Sequence, residues 1–143
     1  LASAPEVERL VVMVQKGVAD RLVAGPGGRT VGIPSMKLAW YASGRTLGLV
    51  PPEVFVPQPR VMSAVVEITR RPPPSTVVGP DAVLALVETA YRQRRKMLRS
   101  TLGGTVPVEA FEAAGIQPTQ RPEELSIADW TRLAEALAEQ RSA

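Results

Sequence analysis

The sequence contains no cysteine and no histidine. Without cysteine there is no disulfide, no thiolate nucleophile and no thiolate metal ligand. Without histidine as well, a zinc site of the thiolate and imidazole type and a Ser-His-Asp triad are both excluded within this chain. Acid-base chemistry is left to carboxylates, Lys, Tyr and backbone groups. Aromatic residues are scarce, two each of Phe, Tyr and Trp, so the position of each ring is informative. No run of about 18 apolar residues is present to span a bilayer, and the first residues lack the basic-then-apolar order of a signal peptide. A cytoplasmic protein is the expectation. Neither an internal repeat nor an extended low-complexity tract is evident.

What is present is a chain of 143 residues, 45% hydrophobic and 22% charged, enough for one ordinary globular domain or two small ones. The net charge of +3 is modest, but its distribution is not. The stretch "YRQRRKMLRS", residues 91–100, holds Arg92, Arg94, Arg95, Lys96 and Arg99 and no acid. Such a concentration of Arg makes a polyanion, nucleic acid before others, the expected partner. On a continuous helix Arg92, Lys96 and Arg99 fall at i, i+4 and i+7 with Arg95 adjacent, so four cations share one side. The alternatives are a solvated face or pairing with Glu88, Glu123 and Glu124, with Arg94 turned inward toward an acid.

Along the chain, "RLVVMVQ" (residues 9–15) reads as a strand buried on both faces of a parallel sheet. "KGVADRLVA" reads as a helix with Val18, Leu22 and Val23 on one face, ended by "AGPGGRTVGIP". Strand, helix and loop in that order predict an α/β sheet. "SMKLAWYASG" suits a helix with Ser35 as N-cap, although Trp40 and Tyr41 also suit a strand. "RTLGLVP" and "SAVVEITRR" read as strands, joined by a stiff extended loop containing Pro51, Pro52, Pro57 and Pro59. Three consecutive prolines make residues 70–80 the natural linker. Beyond it the periodicity is helical. Leu84, Val87, Tyr91, Leu98 and Leu102 stand near helical spacing, Gly115 ends a short helix, and Ser126 and Asp129 form a capping box. Ile127, Trp130, Leu133, Ala134 and Leu137 then make one apolar stripe. Trp40 and Trp130 are read as core residues, and Asp20 and Arg21 as members of surface pairs.

Five stretches, in order, carry a family resemblance: "MVQKGVADRL", "PGGRTVG", "VPPEVFVPQPRVMSAVV", "AYRQRRKMLRSTL" and "GIQPTQRPEELSIADWTRLAEAL". They run through nearly the whole chain, and the motifs F-x-P-x-P-[KR]-V-x-S and QRRK-x-L are the specific ones. The chain thereby resembles the small-subunit ribosomal RNA adenine N6,N6-dimethyltransferases, and more distantly the macrolide-resistance methyltransferases of large-subunit RNA. It departs from residues common in that family at Gly17, Val31, Pro34 and Met62.

The resemblance implies the C-terminal part of a Rossmann-like methyltransferase sheet followed by a small all-helical domain. The expected division is residues 1–72 for the sheet part, 73–80 for the proline-rich linker and 81–143 for the helical RNA-binding part. It implies S-adenosylmethionine as the complete enzyme's cofactor and small-subunit ribosomal RNA, during ribosome biogenesis, as its partner, with no metal. The family's glycine-rich cofactor loop and Asn-Leu-Pro-Tyr-like catalytic motif have no counterpart here. "GPGG" (residues 25–28) follows a helix rather than a strand. The chain is therefore expected to be inactive alone and not to bind the cofactor. Two rivals stand: a non-catalytic RNA-binding or ribosome-assembly module, and a resistance-type methyltransferase.

The resemblance also assigns site residues. Phe55 matches a ring that lines the target-adenine pocket, where an aromatic face replaces the stacking lost when the base leaves its strand. Pro57 and Pro59 would shape that pocket, with Ser63 as a loop-closing hydrogen-bonder; the alternative for Phe55 is a core residue. RNA phosphates are assigned to Arg92, Arg95, Lys96 and Arg99. Apart from the resemblance, Lys16 and Arg29 flank the helix after the first strand, at the end of the sheet where ligands of open α/β folds bind, and with Arg60 are further candidate RNA contacts, ordinary exposed cations being the alternative.

Overall fold

The computed structural model describes residues 6–28 and 30–142. The opening "LASAP" stretch and Arg29 lie outside the described residues. Three strands, β1 (Arg9–Gln15), β2 (Ala42–Val50) and β3 (Ser63–Arg70), form one sheet in the order β1-β3-β2. Both pairings are antiparallel, with Gln15 and Val50 each opposite Ser63, and a register shift between Thr46 and Gly48. This corrects the parallel, doubly buried reading of β1. A run of valines reports burial but not the direction of the neighbouring strand, and here Val11 and Met13 are half exposed.

Helix α1 (Lys16–Val23) leaves β1 directly and covers one face of the sheet. Ala19 meets Ala42, Ala64, Val66 and Ile68 in a small core, with Val12, Val14, Val23 and Leu38 at its margin. On the other face Glu67 lies between Arg9 and Arg45 and accepts hydrogen bonds from Arg45 Nε at 2.9 Å and Arg9 Nε at 2.6 Å. These bonds, Arg45's first, hold the Glu67 carboxyl below its ordinary range.

Helix α2 (Ile33–Tyr41) starts two residues before the serine expected to cap it. Gly32 is the N-cap, and Pro34 presets the helical φ in the first turn. Ser35 instead lies inside, buried, accepting from the Gly32 N–H at 3.1 Å and donating to the Arg21 carbonyl. Asp20 pairs with Lys16 at 2.9 Å, one turn earlier.

The helical part comprises α3 (Pro80–Tyr91), the single turn α4 (Leu98–Thr101), α5 (Val108–Ala114) and α6 (Ile127–Ser142). The α6 capping box is formed in both directions, Ser126 N–H to Asp129 Oδ2 at 2.9 Å and Asp129 N–H to Ser126 Oγ at 3.2 Å. All five residues of its apolar stripe are buried, and Gly115 stops α5 in the left-handed conformation at φ 72°. One large core joins Trp130, Phe111, Leu98, Leu102 and Val87 with Val31, Met36 and Trp40, so residues on both sides of the proline-rich segment share it.

Gly103 is a packing constraint rather than a hinge. A Cβ there would lie 2.3 Å from the Arg99 carbonyl oxygen, whereas one at Gly104 would meet open space. Gly103→Ala is expected to cost about 1–3 kcal/mol in thermal unfolding, and Gly104→Ala well under that. Equal effects would show that the Arg99 carbonyl moves aside freely.

Candidate nucleic-acid interface

The basic stretch is not the continuous helix its spacing predicts. α3 ends at Tyr91, and residues 92–96 form successive turns, with Gln93 N–H donating to Ala90 O and Lys96 N–H to Gln93 O. The local sequence has good helix propensity, so tertiary contacts make the break. Leu98, with no exposed surface, must reach the large core. Its N–H donates to Gln120 O at 2.8 Å and that of Arg99 to Pro118 O at 2.8 Å, pinning α4 to a distant turn.

Despite the break, Arg92, Arg95, Lys96 and Arg99 are all exposed. None of them is in an ion pair found among the described residues. The acids named as alternative partners are otherwise engaged: Glu88 with Lys37 at 3.7 Å, Glu123 with Arg94 at 3.6 Å, and Glu124 with the Arg121 N–H at 2.6 Å. Arg94 turns inward, as one of the two sequence readings had it.

One cation was missed. Arg121, in "RPEELS", donates from Nε to the Arg95 carbonyl at 2.8 Å, and the two arginines line an open cavity of about 640 Å³ with Arg94 and Glu123. The motif that contains Arg121 was visible in the sequence. Its distance of 26 residues from Arg95 hid the contact between them. Two Arg forks beside one cavity suit phosphate oxygens, which they can hold bidentately.

The second group of candidates sits at the end of the sheet where Gln15, Val50 and Ser63 meet. The loop of residues 51–62 leaves β2 there through a 3₁₀ turn at Pro52–Val54, with a cis peptide before Pro57. Phe55 is half-buried, outside both hydrophobic cores, and its N–H donates to Pro52 O at 3.2 Å. Val56 beside it is 99% exposed, Pro57 and Arg60 are exposed, and Pro59 is half-buried. The Lys16 N–H donates to Met62 O at 2.9 Å, fixing the start of α1 to the end of this loop. The Lys16 ammonium is held by Asp20 on the exposed surface. Ser63 begins β3 at the foot of the same loop.

Arg29 lies outside the described residues. Its neighbours are at the far end of α1, where Gly27 N–H donates to Glu123 O at 2.6 Å. That end faces the helical part and the basic turn, not the Phe55 loop. Lys16 and the residues around Arg29 therefore belong to different regions. Burial pushes the Tyr91 hydroxyl up to about 12, and neither it nor the buried Trp130 indole N–H has a hydrogen-bond partner among the described residues. No cluster of three or more acids that could hold a metal ion occurs among the described residues, and no described helix is long and apolar enough to cross a membrane.

The arrangement of sheet and helices is shared with two solved structures. A dimethyladenosine transferase from Plasmodium falciparum superposes with a TM-score of 0.79 at 19% identity, over 92% of this chain and 57% of the other. The 23S rRNA methyltransferase ErmE superposes with a TM-score of 0.65 at 21% identity, over 95% and 57%. At those identities the likeness establishes the fold alone. Sequence similarity is more specific: residues 2–139 match the model of the ribosomal RNA adenine dimethylase family, and the chain belongs to that family. "Ribosomal RNA small subunit methyltransferase A" of Kineococcus radiotolerans is 52% identical over 94% of this chain and 46% of its own length. The protein of the same name from Acidothermus cellulolyticus is 49% identical over 91% and 47%. The chain thus spans about half the length of the curated relatives it matches.

Proposed function

We propose that this chain is the RNA-holding C-terminal part of an S-adenosylmethionine-dependent adenine N6,N6-dimethyltransferase acting on small-subunit ribosomal RNA. The observation that carries the reading is the basic surface: Arg92, Arg95, Lys96 and Arg99 stand exposed without an ion-pair partner among the described residues, next to the Arg95–Arg121 cavity, in a chain of this family. Phosphate contacts at that surface hold the RNA, and Phe55, on its proline-rich loop, stacks on the extruded adenine. The small-subunit assignment rests on the names of relatives at about half identity. Residues 81–143 serve as the RNA-binding part and 73–80 as the linker.

Cofactor binding and methyl transfer belong to the rest of the complete enzyme. The described residues do not fit S-adenosylmethionine. The glycine run at 25–28 lies between two helices, and the N–H of Gly27 is already used by the Glu123 carbonyl. The sheet supports the same reading. β1 has β3 as its sole strand neighbour among the described residues, and Val11 and Met13 leave an apolar surface for further structure to cover.

Calorimetric titration of S-adenosylmethionine into the chain is expected to give no binding heat, while a small-subunit RNA fragment binds with strong salt dependence. Micromolar binding of the cofactor would overturn the division of roles. Absence of RNA binding at low salt would overturn the proposed surface.

A further inference from the structure

Arg94 differs from the four cations around it. Its Nη2 donates to the Val31 carbonyl at 3.0 Å, its Nε lies 3.6 Å from Glu123 Oε2, and its guanidinium carbon sits 5.4 Å from the centre of the Tyr91 ring. Val31 is wholly buried in the large core, and Glu123 also takes the Gly27 N–H on its backbone carbonyl. One guanidinium therefore touches three pieces of chain far apart in sequence: the loop of residues 24–32, the end of α3, and the turn Pro122–Glu124. The adjacent residue on each side of this junction carries a candidate RNA contact, Arg95 in one case and, through the 122–124 turn, Arg121 in the other.

We propose that Arg94 is a positioning residue, a clamp that fixes the 24–32 loop and the 122–124 turn against the basic turn and so sets the spacing of Arg95 and Arg121. This rests on the RNA-binding reading for its purpose, but not for its geometry. The three contacts demand the planar fork of Arg. A carbonyl, a carboxylate and a ring face are met at once by its edge and its plane, whereas the compact ammonium of Lys can satisfy one or two of them. A phosphate contact would tolerate Lys as a point charge.

That difference makes Arg94→Lys the discriminating variant of the 143-residue chain, with Arg95→Lys as control. Hydrogen exchange of the Gly27 amide and its neighbours in 25–32 is expected to accelerate roughly tenfold in Arg94→Lys, while exchange within α6 stays as it was. Affinity for a small-subunit RNA fragment should fall several-fold with its salt slope unchanged, because no phosphate contact is removed. Arg95→Lys should leave exchange alone. Should Arg94→Lys fail to fold, Glu123→Gln keeps the shape, removes the ion pair and should loosen the same loop to a lesser degree. Unaltered exchange in 25–32 overturns the clamp. So does an Arg94→Gln variant that loses roughly 0.7 to 0.9 of salt slope with normal exchange, since that is the signature of a phosphate contact. If the unmodified chain bound no RNA, the proposed surface would fall and the exchange result would still decide the clamp.

Discussion

Replacing Arg92, Arg95, Lys96 and Arg99 together with Gln is expected to weaken RNA binding on the order of a hundredfold or more near 0.1 M salt, across unrelated sequences. The physical basis is counterion release. Each phosphate neutralised by a cation frees condensed ions, so each lost contact lowers the slope of log K against log salt by roughly 0.7 to 0.9. All four side chains are exposed, and none is in an ion pair among the described residues. Stability should therefore change little, as surface substitutions do, and the binding loss cannot be laid to unfolding. Arg121→Gln, made separately, should add a loss of one contact's size, because its guanidinium lines the same cavity as Arg95. A slope that survives the fourfold replacement would reduce the cluster to a solvated surface.

The second large effect concerns Phe55 in the complete enzyme. Under the proposed function Phe55→Ala should lower methylation far more than overall RNA affinity, since phosphate contacts elsewhere would hold the RNA while this ring would hold only the extruded base. Loss of stacking is worth on the order of 1–3 kcal/mol, roughly 5- to 150-fold in kcat/KM, and Phe55→Tyr or Phe55→Trp should keep much of the rate. The core-residue alternative predicts about 3–5 kcal/mol of lost folding stability with normal activity per folded molecule. Phe55 lies outside both cores, whereas Phe111, 2% exposed, is central to the large one. Phe111→Ala is therefore the reference for what a core phenylalanine costs. If Phe55→Ala matched it in thermal unfolding and kept specific activity, the stacking role would be lost.

How far the site could be read before the fold was known depended on the distance over which each residue acts. The α6 start was legible because Ser126 and Asp129 cap it within a single turn. The same was true of the stripe through Trp130, which repeats at the helical period. The loop position of Phe55 was legible through a local motif of prolines, and the structure places it outside both cores. Arg121 was not, because its partner is the carbonyl of Arg95, and a backbone acceptor leaves no mark in the sequence. Lys16 and Arg29 were grouped as residues flanking one helix at one end of the sheet, but Lys16 begins α1 while Gly27 and Gly28 follow its other end.

By itself the sequence determined what chemistry is closed to this chain, the helical character of α1 and α6 and the extended character of β1 and β3, where the cations lie along the chain, and which family it belongs to. Those properties reside in composition or in interactions spanning a few residues, where side-chain period and capping geometry are set locally. Tertiary structure alone decided that β1 pairs antiparallel with β3, leaving Val11 and Met13 uncovered. It alone decided that the helix stops at Tyr91 and that one of the five cations turns inward. The reason is the same in each case. The break after Tyr91 is set by Leu98 entering the core and bonding to Gln120, and the turning of Arg94 by a carbonyl 63 residues away. Helix propensity within "RQRRK" is worth tenths of a kcal/mol per residue, too little to outweigh burial of a leucine at about 1.5–3 kcal/mol.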